Sequence, residues 1–388
     1  MPRSTDSGST PSTPSSTSQP PRPFPLFKVG TFRYEAVRKL AVMPSGEVLL
    51  LAHRFAMDEP HPGLCLVRRL PNPSTFMGRK RLAEEIQLAF LLHHPSIAQV
   101  HLAKIHLRRV HVVMEYVDGP SVDTLVSASV VRGKPVSGAF ALYVGAELAD
   151  ALHYAHSLKG EGGKPLGIIH RDVNPRNVFV GPHGEVKLSN FGAAYSLVIG
   201  REESPASLVR GDVAYASPEY LERVPLTPRS DVFSLGVLLT ELLTGRHLFA
   251  LDVAVRAPQG VTPLRMEYTP SLPLEQMRVL LSSFGPDDVE QAVGALAPDI
   301  RALLHTALRV APGERFATSA DMGAALRAVL MKRHPGYGRH EAAAEAARVV
   351  AEGGCARDQV EFGESGLYPE GLDEHELKAL AKVTPASS

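Results

Sequence analysis

A chain of 388 residues that is 44% hydrophobic and 21% charged can bury a sizeable core, which excludes a wholly disordered or fibrous protein. Its 41 basic and 41 acidic side chains cancel, so there is no electrostatic reason to expect nucleic acid or an anionic membrane as a partner. Two cysteines, Cys65 and Cys355, make no disulfide framework. No apolar run is long enough to span a membrane or to form a signal core, and a cytoplasmic protein is expected.

In chain order, residues 1–25 are dominated by Ser, Thr and Pro and read as a disordered leader. Cys65-Leu66-Val67-Arg68-Arg69-Leu70 predicts a core strand. His101, His106 and His111 recur at intervals that suit neither a helix face nor a metal cluster, so they read as ordinary core or surface histidines. Ser137 is placed to cap a helix whose apolar stripe is Phe140, Val144, Leu148, Leu152 and Ala155. The run Asp231-Val232-Phe233-Ser234-Leu235-Gly236-Val237-Leu238-Leu239 is apolar nearly all round, as a central buried helix should be. Residues 250–300 carry Pro-rich turns around the amphipathic segment Leu274–Leu281, read first as packing on its own domain and second as a docking surface. An Ala-rich helical signal at Glu341–Glu352 and an acidic amphipathic one at Asp373–Val383 follow, with Gly-rich breaks between them. There is no internal repeat.

The most specific pattern is His170-Arg171-Asp172-Val173-Asn174-Pro175-Arg176-Asn177, followed by Asn190-Phe191-Gly192. It resembles the catalytic loop and metal-binding turn of eukaryotic-like (Hanks-type) bacterial Ser/Thr protein kinases, and the resemblance extends over residues 33–330. It implies an α+β, bilobal protein-kinase-like fold. A small β-rich N-lobe would occupy 33–117 and a large helical C-lobe 118–332, with a helical and acidic tail over 333–388. Arg33-Tyr34-Glu35 would open the first strand of the small lobe.

By the resemblance, Asp172 is the catalytic base, Asn177 a metal ligand, and Asn190 stands where the family's metal-binding Asp stands. His170, Arg171, Phe191 and Gly192 keep their structural places. Asp231 would tie down the catalytic loop, and Glu219 of Ser217-Pro218-Glu219 would pair with Arg315. The cofactor-facing positions are Gly46 and Val48 of the glycine loop, Leu66 and Arg68 of the V-A-I-K strand, Glu85 (with Glu84 as rival) on the next helix, Glu115 and Val117 at the hinge, and Phe179 on the floor.

Against the family's pattern stand several departures. Only the third glycine of the glycine loop, Gly46, is kept. Arg68 replaces a Lys, and its planar fork does not substitute for a compact ammonium. Leu66 and Phe179 enlarge both roof and floor of the adenine slot, and are expected to meet and close it without nucleotide. Asn174 replaces the catalytic-loop Lys. Asp212 replaces a Thr and is expected to repel Asp172. Ser204 and Ser207 are candidate phosphosites for Arg171, which has local pairing as its other reading.

The favoured reading is therefore a pseudokinase that regulates or scaffolds a signalling protein such as an active kinase, with no nucleic-acid or membrane partner. Its cofactor is none, or weakly held ATP or ADP. A weakly active Ser/Thr kinase, for which Mg²⁺ or Mn²⁺ would matter, is the first alternative. A nucleotide sensor without turnover is the second.

Overall fold

The computed structural model describes residues 24–42, 46–56, 61–196, 211–249 and 273–363. Residues 1–23, Ser204, Ser207, the stretch 250–272 and the acidic segment Asp373–Val383 lie outside them. The chain divides into two compact units, one within Met1–Asn72 and His101–Tyr116, the other within Pro73–Val100 and Val117–Ser388. The class is α+β, a curled β-sheet in the first unit and helices in the second. Among the described residues no helix is long and apolar enough to cross a membrane.

The first unit is built from β1 (Phe24–Val29), β2 (Phe32–Val42), β3 (Val48–Phe55), β4 (Gly63–Leu70), β5 (Val100–His106) and β6 (Arg109–Glu115), in the sheet order β1-β2-β3-β4-β6-β5. Alternation along the strands puts Ala52, Cys65, Val67 and Val113 on the inner face, where each is buried. The sheet curls until its two edges approach: Lys104 of β5 donates to the Lys28 carbonyl of β1 at 2.5 Å, and the Phe27 ring lies 5.9 Å from His106 and 5.4 Å from His111. Burial holds the His111 pKa below the ordinary imidazole value. His101 is exposed.

Strand pairing starts earlier than the sequence reading, which opened the sheet at Arg33. β1 pairs with β2 from Phe24↔Ala36 to Val29↔Phe32, so Arg33-Tyr34-Glu35 lies in the second strand and residues 24–25 belong to the sheet rather than to a leader. Pro25 disguised the strand. It is tolerated because β1 is an edge with a register shift between Pro25 and Phe27, and Phe27 fills the inside of the curl.

The second unit opens with α1 (Phe76–Leu91), capped by Thr75 through Gly78 N at 3.0 Å. Next come α2 (Val122–Arg132), α3 (Gly138–Ser157), the hairpin β7 (Val178–Val180) and β8 (Val186–Leu188), and α4 (Pro218–Glu222). The remaining helices are α5 (Arg229–Thr244), α6 (Leu274–Ser283), α7 (Pro286–Val293), α8 (Pro298–Ala307), α9 (Ser319–Arg333) and α10 (Arg339–Gly363). Ser137 caps α3 by accepting from Phe140 N at 3.1 Å, and the stripe Phe140, Val144, Leu148, Leu152 and Ala155 is buried. α5 is buried along its length and forms the axis of the unit. α6 turns Met277 and Leu281 into the core while Arg278 donates to the Leu221 carbonyl at 3.2 Å, so this part of the enlarged region packs on its own unit.

The glycines at 353 and 354 do not break the C-terminal helix. α10 runs on to Gly363 because it lies directly against α2: a Cβ at Gly353 would sit 2.6 Å from the Ala128 Cβ. A helix interior pays about 1 kcal/mol for glycine relative to alanine, and here the close approach requires it. Ala342, Ala346 and Val349 are buried, and the Glu345 carboxylate accepts from Ser137 N and Ser137 Oγ, both at 2.7 Å, and from Tyr337 OH at 2.8 Å. The tail helix is thus part of the second unit's core.

One ion pair joins α4 to the loop before α9. Arg315 donates to the two Glu219 oxygens at 2.7 and 2.8 Å, and also to the carbonyls of Arg309, Arg229 and Val310. Ser230 Oγ adds a bond to Glu219 at 2.7 Å. Burial pushes the Glu219 carboxyl up, but the Arg315 bonds and charge outweigh it and its pKa lies below the ordinary value. Arg315→Leu, which strands that carboxylate, is expected to lower the urea unfolding free energy by about 3–5 kcal/mol. Because the folded pKa is depressed, the wild-type pair's contribution is present above about pH 4.3, the unperturbed value, and is lost as pH falls through the lower folded value. The variant should lack that acid-side fall.

Candidate functional site

Asp231, at the start of α5, fixes the loop that carries the motif. Its carboxylate accepts from His170 N at 2.7 Å and Arg171 N at 2.9 Å, and His156 Nε2 lies 2.7 Å away. Burial raises the Asp231 carboxyl, but the hydrogen bond and charge of His156 prevail and its pKa falls below the usual value. These bonds hold Arg171 at a left-handed φ of 64°, a strained region for a long side chain. Its guanidinium lies between the rings of Tyr195 and Tyr220, at 5.9 and 5.7 Å.

His170 is fully buried and neutral, because burial lowers its pKa despite Asp231 and Asp172 nearby. Asp172 N donates to its Nδ1 at 3.2 Å, so the proton sits on Nε2, which is 3.0 Å from the Ser189 carbonyl. The Phe191 ring closes edge-on at 4.4 Å.

Around Asp172 the loop converges. Oδ1 accepts from Asn174 Nδ2 at 2.7 Å and from Asp212 N at 2.8 Å; Oδ2 accepts from Asn177 Nδ2 at 2.8 Å and from Asn190 Nδ2 at 3.3 Å. Asn190 Nδ2 also reaches Asn177 Oδ1 at 3.3 Å. A carboxylate can only accept, so each of the three amides presents its NH₂, and their orientations are fixed by the network. Asn190 has a φ of 64°, which Asn tolerates better than most residues. Gly211 makes the approach of the neighbouring loop possible: at φ 84°, a Cβ there would lie 2.7 Å from the Arg171 carbonyl and 2.8 Å from Asp172 Oδ1.

Asp212 meets Asp172 through a hydrogen bond as well as through the expected repulsion. What faces Asp172 is the backbone N–H of Asp212, while its carboxylate accepts from Ala214 N at 3.0 Å and pairs with Arg176. Burial is the main cause raising the Asp212 pKa, Arg176 opposes it, and Asp172 is a lesser contributor. Arg176 was overlooked in the sequence. It returns a cation to a loop in which Asn174 is neutral, and its signal was its place one residue before Asn177.

Of the rival glutamates on α1, Glu85 brings its carboxylate to Gly192, where a Cβ would meet Oε1 at 2.6 Å, and Glu84 pairs with Lys80 at 4.0 Å. Phe179 is half-buried on β7, bridged to Ser121, and Val117 precedes α2 with its carbonyl accepting from Gly119 N at 2.9 Å. In the first unit, Leu66 pairs with Leu51 and Met114, Cys65 pairs with Glu115 at the end of β6, Val48 is buried, and Gly46 turns at φ 83°. Arg68 is met by Glu47, Nε to Oε1 at 2.6 Å and Nη2 to Oε2 at 3.1 Å. Sequence reasoning missed Glu47. The strand register would have found it: Leu49 faces Arg68, and Glu47, two residues earlier, is Arg68's diagonal neighbour on the same face.

The protein kinase domain family matches residues 67–324, from within β4 to within α9. The tyrosine-protein kinase MasK of Myxococcus xanthus is 31% identical over 283 residues, 70% of this chain and 43% of that protein. The serine/threonine-protein kinase PrkC of Bacillus subtilis is 29% identical over 232 residues, 59% of this chain and 34% of its own length. PknB of Mycolicibacterium smegmatis, also a serine/threonine-protein kinase, is 29% identical over 270 residues, 68% of this chain and 37% of its own length. The chain therefore spans less than half the length of these relatives.

The loop that carries Asp212 is anchored by Tyr215, whose OH donates to the Glu241 carboxylate in the core while His247 stacks edge-on at 4.9 Å. Burial pushes the Glu241 carboxyl up to about 7, with Asp123 and Asp212 adding to it and the Tyr215 bond and Arg176 opposing. A raised folded pKa means that this group's contribution is fully present below the unperturbed glutamate value of about 4.3 and is lost as pH rises through about 7. Glu241→Gln keeps an acceptor for Tyr215 but does not ionise. It should flatten the stability decline between about pH 5 and 7.5, a difference of a few kcal/mol by order of magnitude, measured by urea unfolding at each pH.

Proposed function

The chain belongs to the protein kinase domain family, and from that premise we propose that it is a signalling pseudokinase, which regulates or scaffolds a partner such as an active kinase and does not transfer phosphate. One observation carries this reading: the side-chain NH₂ of Asn190 donates to both Asp172 Oδ2 and Asn177 Oδ1. Mg²⁺ and Mn²⁺ ask for oxygen ligands, preferably anionic. Here the Asn177 oxygen faces an N–H donor, and the Asp172 carboxylate accepts from four nitrogens. The residues do not fit a divalent ion, and the amide of Asn190 bridges the two acceptors in its stead.

The same bonds oppose a role for Asp172 as base. To take the proton of an attacking hydroxyl it would have to give up one of its present donors. Losing one preorganised electrostatic contact commonly reduces turnover by about 10²–10³, and the metal-binding Asp and the loop Lys are both replaced. Weak ATP or ADP binding is compatible with this proposal.

A second reading, a weakly active ATP-dependent kinase, is favoured by the retained Asp172 and Asn177 and by the relatives, which are named as kinases. Those names include both serine/threonine and tyrosine kinases. Mg²⁺ or Mn²⁺ would then be its cofactor.

Radiolabelled phosphotransfer from ATP to peptides bearing Ser, Thr or Tyr, with Mg²⁺ or Mn²⁺, separates the two. We expect no transfer above background. Asn190→Asp should gain a Mg²⁺-dependent rise in unfolding midpoint that the wild type lacks. Asp172→Ala should lower stability by about 1–3 kcal/mol by stranding amide donors, which marks a structural role. Metal-dependent transfer by the wild type that disappears in Asp172→Ala would overturn the proposal in favour of the weak kinase.

A further inference from the structure

The second unit holds a groove of about 390 Å³, room enough for a small organic ligand. It forms where the end of α3, the start of α5 and the segment between α8 and α9 come together, and its wall is largely apolar, with Pro228, Pro312 and Ala317 in it. No carboxylate lines it. Arg229 lies along the wall: Nε donates to the Ala317 carbonyl at 3.3 Å and Nη1 to the Pro312 carbonyl at 3.0 Å. These bonds make the guanidinium a fixed part of the groove, while Nη2 has no partner among the described residues. The half-buried His153 ring also makes no hydrogen bond among the described residues and offers a second N–H. His156, by contrast, is engaged, with Nε2 2.7 Å from Asp231 Oδ2 and Nδ1 3.2 Å from Ser319 Oγ, so the groove borders the side chain that supports Asp231.

A phosphate dianion would call on more donors than one guanidinium edge and one imidazole supply, and it would leave the apolar wall uncovered. A carboxylate monoanion on an apolar body satisfies both the donors and the wall. Two proline rings and a guanidinium plane favour a flat body. We propose that this groove binds a small aromatic carboxylate, its carboxylate toward Arg229 and His153 and its ring against Pro228, Pro312 and Ala317. The site uses no residue of the network around Asp172, so it and the absence of phosphotransfer can fail separately.

The test is NMR of the ¹⁵N-labelled full chain titrated with phenylacetate and, separately, with the neutral phenylacetamide. Phenylacetate should shift the Arg229 Nε–H and the backbone amides of Gly313 and Ala317 saturably, at millimolar concentration or below. Phenylacetamide should bind at least about tenfold more weakly, the scale of one charge-assisted hydrogen bond. Arg229→Gln should remove the preference for the acid. Ala317→Leu, at an exposed side chain whose backbone carbonyl still accepts from Arg229, should weaken both compounds by filling the groove. Because Arg229→Gln also gives up bonds to the wall, Ala317→Leu carries the test if that variant folds poorly. Shifts that do not saturate, equal affinity for acid and amide, a preference that survives Arg229→Gln, or acid binding unchanged in Ala317→Leu would each overturn the proposal.

Discussion

The carboxylate of Asp172 accepts hydrogen bonds and donates none, and the conformation of the loops around it follows from that asymmetry. Four nitrogens, three from amide side chains and one from the backbone of Asp212, point at its two oxygens. Once those amides have turned their NH₂ groups inward, the oxygen of Asn177 is committed to facing Asn190. Replacing Asp with Asn at position 190 removes a charge, and it also supplies the donor that completes the network. An aspartate there would set a second acceptor against Asp172 and Asn177, a conflict that a cation resolves; an asparagine resolves it from within the chain.

A loop organised this way must be supported from beneath. Asp231 holds the backbone of His170 and Arg171, and neutral His170 carries its proton on the nitrogen that faces Ser189. The Glu219–Arg315 pair ties α4 to the loop before α9, with both Glu219 oxygens and all three Arg315 nitrogens bonded. Helix α10, beyond the span that matches the family, packs its small residues on α2 and places Glu345 on the cap of α3. Among the described residues these supporting bonds are thus in place beneath an altered catalytic loop, the combination on which the pseudokinase proposal rests.

Much of this was legible in the sequence. The H-R-D and N-F-G motifs, the capped α3 and the apolar α5 carry local signals strong enough to place the helical unit, and Glu219 and Arg315 were visible as a pair. What escaped has a common physical cause, that geometry across the chain decides which atom of a residue faces a neighbour. Asp212 read only as a charge beside Asp172; that repulsion is a lesser cause of its raised pKa, while its amide faces inward and its carboxylate meets Arg176. Glu47 became visible only through strand register. β1 was hidden by Pro25, tolerable on an edge, and the length of α10 by glycines that a close helix contact requires.

The central claim is that the amides of Asn177 and Asn190 satisfy Asp172 and one another so well that no divalent ion enters. It is tested most directly by NMR of the side-chain amide groups of the ¹⁵N-labelled protein during titration with Mn²⁺, whose paramagnetism broadens resonances near its binding site. The account predicts that the assigned NH₂ signals of Asn174, Asn177 and Asn190 stay sharp into the millimolar range. Selective, saturable broadening of Asn177 and Asn190 would contradict it.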